Sequence, residues 1–155
     1  MRKLTMGIVA AFGLTLGMQA ALAGEAAKPE PKPEAKADTK DKEKAAVAAA
    51  EAWLKLVDYG KYAGSWKEAA TFFKGAMKSE QWEQALTGVR KPLGKVGSRK
   101  VKTTKYLTSV PGAPDGEYVV IEFDTSFAEK KAAVETVTPM MDKDGKWRVS
   151  GYFIK

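Results

Sequence analysis

Glu135 is the side chain that the sequence best equips for proton chemistry. It sits in a β-rich run, Val134-Glu135-Thr136-Val137. A carboxylate held in an apolar cavity has a raised pKa and can move protons near neutral pH. Tyr118 is the phenol that could work beside it. Two plainer readings compete: strand alternation puts Glu135 on the wet face, or a Lys or Arg pairs with it. Glu122 and Asp124 share one strand face, as a carboxylate pair or as ordinary exposed positions. Asp142-Lys143-Asp144-Gly145 resembles the start of a calcium loop. It lacks the further acidic position and the closing Glu, and it reads as a hairpin turn. Gly94-Lys95-Val96-Gly97 is a GxxG, which in some RNA-binding domains clamps phosphates between helices; here it joins a helix to a strand.

The residues that are missing exclude more. The chain has no His and no Cys. There is therefore no imidazole base, no thiolate nucleophile, no disulfide and no His- or Cys-held metal. No GxSxG, SxxK, P-loop or dinucleotide fingerprint occurs. No cofactor and no metal are expected.

The strongest charge feature runs from Arg90 to Lys105. Arg90, Lys91, Lys95, Arg99, Lys100, Lys102 and Lys105 are seven positive charges with no acid between them. Such a stretch sets up a local positive field. Arg90, Lys95, Lys100, Lys102 and Lys105 are the expected anion-binding residues. The competing reading is an edge strand on which Lys discourages aggregation. Trp66, Phe73, Trp82 and Tyr152 are the expected pocket residues, although aromatics at such spacing also build plain cores.

These side chains need elements to position them. Val47, Ala50, Trp53, Leu54 and Val57 recur at helical spacing, which predicts a helix from Asp41 to Tyr59 stopped by Gly60. Ser65-Trp66-Lys67-Glu68 reads as a capping box opening a second helix that reaches Met77. Ser79 caps a third, ended by Pro92-Leu93-Gly94. Beyond Gly94 the period changes to that of strands: Val96 to Val110 (with a bulge), Glu117 to Phe127, Ala132 to Met141 and Lys146 to Ile154. Helices followed by hairpin-joined strands predict an α+β domain, an antiparallel sheet covered on one face.

The N-terminus is expected to lie outside that fold. Arg2 and Lys3 precede an apolar stretch, Met6 to Leu22, ending in Ala21-Leu22-Ala23. That is the pattern of a signal peptide over residues 1–23, cleaved after Ala23 and leaving no transmembrane anchor. Residues 24–44 carry six basic and six acidic side chains, three prolines and no aromatic. They read as a solvated tether whose C-terminal half, from Ala35, could run into the following helix. Residues 45–155 hold 14 of the 15 aromatics and read as one domain of net charge +5.

Several runs carry a resemblance to a known family. They are Trp53-Leu54-Lys55-Leu56-Val57-Asp58 through Ser65-Trp66, and Arg90-Lys91-Pro92-Leu93-Gly94 followed by Ser98-Arg99. Pro111 to Val120, Thr125-Ser126-Phe127 and Glu135-Thr136-Val137-Thr138-Pro139 continue it, and Trp147-Arg148-Val149-Ser150-Gly151-Tyr152 ends it. Together they resemble the bacterial family catalogued as domain of unknown function 4019 (DUF4019). That resemblance implies a cone-shaped fold of the nuclear transport factor 2-like and cystatin-like class, with a curved four-stranded sheet around a long helix. It implies no reaction.

The expectation is an exported, periplasmic or extracellular domain that binds or scaffolds in the cell envelope. Its expected partners are anionic envelope components or a small ligand, not nucleic acid. The rivals are a small enzyme using Glu135 and Tyr118, and a structural homodimer formed through the sheet. Binding is favoured over catalysis because no nucleophile motif is present.

Overall fold

The computed structural model describes residues 33–155, with side chains from Lys36 onward. The expected signal peptide and the first part of the expected tether lie outside the described residues. Four helices come first: α1 (Pro33–Asp58), α2 (Tyr62–Lys67), α3 (Thr71–Ala76) and α4 (Ser79–Leu93). Four strands follow: β1 (Val96–Leu107), β2 (Tyr118–Phe127), β3 (Ala133–Met141) and β4 (Trp147–Ile154). The strands form one antiparallel sheet in the order β1-β2-β3-β4. The α+β expectation holds.

α1 begins earlier than its apolar spacing predicts. Pro33 stands at the first helical position, where its missing N–H costs nothing, and Ala, Lys and Glu dominate the next turns. Residues 33–44, the C-terminal half of the stretch read above as tether, are therefore helical, and the run-in expected from Ala35 starts at Pro33. Side chains from this half also hold the sheet. Lys42 pairs with Glu117, and Glu43 accepts from the Thr104 hydroxyl and the Tyr106 amide, each at 3.1 Å. Gly60, at φ 70°, ends the helix in the left-handed region, as expected.

The second predicted helix is two short ones. Ala70 is extended between them, and its N–H donates to the Val149 carbonyl at 2.9 Å, tying the break to β4. Ser65 is no N-cap: it lies inside α2, fully buried. Its carbonyl accepts from the Trp53 indole and its hydroxyl accepts from the Trp82 indole, at 2.8 and 2.9 Å. Satisfying two buried indole donors outweighs capping at this position. The cap residue of α4 is Lys78, not Ser79.

The inner sheet face carries Val119, Ile121, Phe123, Thr125 and Phe127 of β2, all buried, as the alternation predicts. Trp53, Leu54 and Val57 of α1 and Trp82 and Leu86 of α4 join them in the main core. Ala70, Tyr118 and Met140 form a second, smaller cluster with Phe72, Leu107, Val110 and Ala113 packed against it. Tyr118 and Met140 pair across β2 and β3, one residue out of phase with the inward-facing Val119. The second cluster therefore covers part of the outer face. Register shifts interrupt β1 between Val101 and Thr103, and β3 and β4 beside Thr138 and Pro139.

Candidate functional site

Glu135 is fully buried on the inner sheet face. Arg99 of β1 donates to it from Nε at 2.6 Å and from Nη2 at 3.2 Å. The Thr125 hydroxyl of β2 donates at 2.7 Å and the Tyr152 hydroxyl of β4 at 2.5 Å. A carboxylate has about four lone-pair sites, and here four donors take them. Arg99 also grips Asp58 at the end of α1, at 2.7 and 3.0 Å. Arg90, from the last turn of α4, reaches the same Asp58 at 2.8 Å. Its guanidinium lies 4.5 Å from the centre of the Phe127 ring. The result is an alternating chain, Arg90–Asp58–Arg99–Glu135, whose formal charges cancel.

Burial holds the Tyr152 phenol well above its ordinary pKa, and the Glu135 charge adds to the shift. Tyr152 thus remains a donor at physiological pH. Desolvation opposes the Arg99 charge, but bonds to Asp58 and Glu135 outweigh it and raise the guanidinium pKa. This arrangement locks α1, α4 and all four strands together. It leaves Glu135 no lone pair with which to take a substrate proton.

Of the two alternatives to a catalytic Glu135, the structure therefore contains the Arg pair and not the wet face. The pairing of Glu135 with Tyr118 does not form. Tyr118 lies on the outer face in the second cluster, and its hydroxyl donates to the Pro114 carbonyl at 2.5 Å. Tyr152 occupies the role expected of Tyr118. Sequence reasoning did not single out Asp58 and did not link Arg99 to Glu135. The only signal for either was an acid ending an apolar helix and an Arg at an inward strand position.

The basic stretch divides in two. Arg90 is buried and Arg99 partly so, both committed to carboxylates. Lys95, Lys100, Lys102 and Lys105 are exposed. Lys102 pairs with Asp124 at 3.3 Å. The bulge after Val101 places Lys100 and Lys105 on the outer face together, opposite Asp124 and Val120.

Trp82 and Tyr152 fill the core rather than line a cavity. Trp53, Trp82 and Tyr152 pack with ring centroids 5.4–6.4 Å apart, and Phe73 stacks edge-on to Trp82 at 5.0 Å. Trp66 is half-buried, and its indole donates to the Met77 carbonyl at 2.7 Å. Of the expected pocket residues, Phe73 alone borders the groove described next.

A groove of about 450 Å³ opens on the outer sheet face. Its floor is Val120 of β2, Thr138 of β3, and Ser150 and Gly151 of β4. Phe72, Phe73 and Ala76 of α3 wall one side, and Leu107, Val110, Pro111 and Ala113 wall another. Asp142, in the β3–β4 turn, accepts from the Thr71 amide at 3.0 Å and its hydroxyl at 2.9 Å, pinning the start of α3. Those bonds and Arg148 hold the Asp142 carboxyl below its usual pKa, against a smaller opposing effect of burial. The volume lies within the ~300–1,000 Å³ of small-ligand sites. The sequence did not reveal this groove.

Among the described residues no group of three or more acidic side chains could hold a metal ion, and no helix is long and apolar enough to cross a membrane. Neither the curated proteins nor the solved structures yield a match to this chain. Residues 49–152 match the model of the family described as "Protein of unknown function (DUF4019)", a span of more than half the chain that contains both the Glu135 network and the groove floor, and the protein belongs to that family.

Proposed function

We propose that this protein is an exported binding module of the cell envelope, and that its ligand site is the apolar groove on the outer sheet face. The groove is the observation that carries this reading. It is lined almost wholly by carbon, it is walled by an α3 that Asp142 pins at its start, and Gly151 leaves its floor open. A glycine inside a strand is a common mark of close ligand approach. Export is inferred from Arg2, Lys3, the apolar run and Ala21-Leu22-Ala23. Placement among the cone-shaped, cystatin-like folds belongs to the same proposal; helices packed on one face of a four-stranded antiparallel sheet support it. The enzyme reading loses its main support, since Glu135 is saturated with donors.

The test is saturable binding of a neutral fluorescent apolar probe, N-phenylnaphthylamine, to the wild-type chain and to Gly151→Leu. A Cβ at Gly151 would meet nothing nearer than Thr138 Cβ at 3.6 Å, an ordinary contact, so the variant should fold. Its side chain should fill the floor and abolish the signal. Equal probe binding by both proteins would refute the groove as the site.

A further inference from the structure

One row of residues crosses the outer face through the groove. Lys105 pairs with Val120, and Thr138 pairs with Gly151. Tyr118 opposite Met140 and Ile121 opposite Val137 bracket a register that sets Val120 against Thr138. Directly opposed residues share a sheet face. The row therefore reads Lys105, Val120, Thr138, Gly151, with a cation at one end and an uncovered strand at the other. Three interstrand spacings make it about 14 Å long.

Lys105 is exposed and forms no ion pair among the described residues. Lys102, by contrast, is matched with Asp124. Glu122 stands diagonally from Lys105 on the same face and engages the Thr103 hydroxyl at 3.4 Å. Leu107, two residues along β1 from Lys105, already lines the groove. Lys105 thus neighbours two lining residues, Val120 across the strands and Leu107 along β1, which brings its ammonium within reach of the groove's β1 end. A trough of carbon with one unneutralised cation at its rim complements an apolar chain ending in one negative charge.

We propose that the groove holds a single-chain fatty acid. Its acyl chain lies along Val120, Thr138 and Gly151, and its carboxylate meets the Lys105 ammonium. This rests on the groove being the ligand site. One acyl chain matches a groove of about 450 Å³. No covalent step is involved.

The experiment measures calorimetric affinity of the full chain for decanoate and for decanol, in the wild type, Lys105→Gln and Gly151→Leu. The wild type should prefer decanoate. Lys105→Gln should weaken decanoate about fivefold, the ratio expected for one exposed ion pair, and leave decanol unchanged. Gly151→Leu should weaken both ligands together. If decanol binds as well as decanoate and Lys105→Gln changes neither, the fatty-acid assignment is overturned while the groove stands. If neither ligand binds, or Gly151→Leu leaves both affinities unchanged, the groove reading fails as well.

Discussion

Replacing Glu135 by Ala removes the acceptor at the centre of the buried network. The Thr125 and Tyr152 hydroxyls lose the acceptor they share, and Arg99 Nε loses its own. Breaking one side of a buried ion pair costs ~3–5 kcal/mol, because the remaining charge is left uncompensated. Two facts place this case near the lower end. Asp58 still holds Nη1 and Nη2 of Arg99, and the Arg99 side chain is 14% exposed, so it can recover some solvation. The expected loss is therefore ~3 kcal/mol, and for a domain of this size that lowers Tm by roughly 10–15 °C. Urea unfolding followed by tryptophan fluorescence reads it directly, since Trp53 and Trp82 both touch Tyr152. Tyr152→Phe should cost only ~1 kcal/mol, because it removes one donor of four. The double variant Glu135→Ala/Arg99→Met should be more stable than Glu135→Ala alone, since it also removes the stranded cation. A Glu135→Ala loss below ~1 kcal/mol would refute the reasoning, as would a double variant no more stable than Glu135→Ala alone.

Three other expectations can be checked, the first two from the structure and the third from the sequence. Asp142 has a lowered pKa, so its contribution is complete above the ordinary Asp value of about 3.9 and is lost as pH falls through its folded value; acid titration should lower the stability of the wild type more than that of Asp142→Asn, and equal acid sensitivity would remove Asp142 as the pin of α3. Lys100→Gln/Lys105→Gln should reduce co-sedimentation with anionic vesicles, with strong salt dependence, whereas Lys102→Gln should matter less because Asp124 already neutralises it; salt-independent sedimentation would mark the basic strand as a solvated edge. Sequencing of mature protein from the envelope should begin at Gly24, and a mature species that retains Met1 would disprove cleavage.

Secondary structure was legible where a side-chain period was unambiguous. Val119 to Phe127 alternate cleanly, and all the odd positions face the core. Gly60 and Gly145 marked their turns because each must adopt a positive φ. Legibility failed where a tertiary bond overrode a local signal. Ser65 followed by Glu68 has the pattern of a capping box, but two indoles from elsewhere in the chain use the Ser65 oxygens. Residues 33–44 have the composition of a tether; the sequence allowed them to continue the helix from Ala35, but not that Lys42 and Glu43 reach the sheet.

The sequence by itself determined the class of the fold, the absence of His and Cys chemistry, and the choice of Glu135 as the carboxylate to follow. Periodicity and composition are local properties, and they suffice for such conclusions. Only the tertiary structure decided what Glu135 does, because its partners Arg99, Thr125 and Tyr152 come from three other strands and Asp58 comes from a helix. The groove was hidden for the same reason. Phe72, Leu107, Val120 and Gly151 are unremarkable one at a time, and they become a binding surface only when strand register and the docking of α3 bring them to one face.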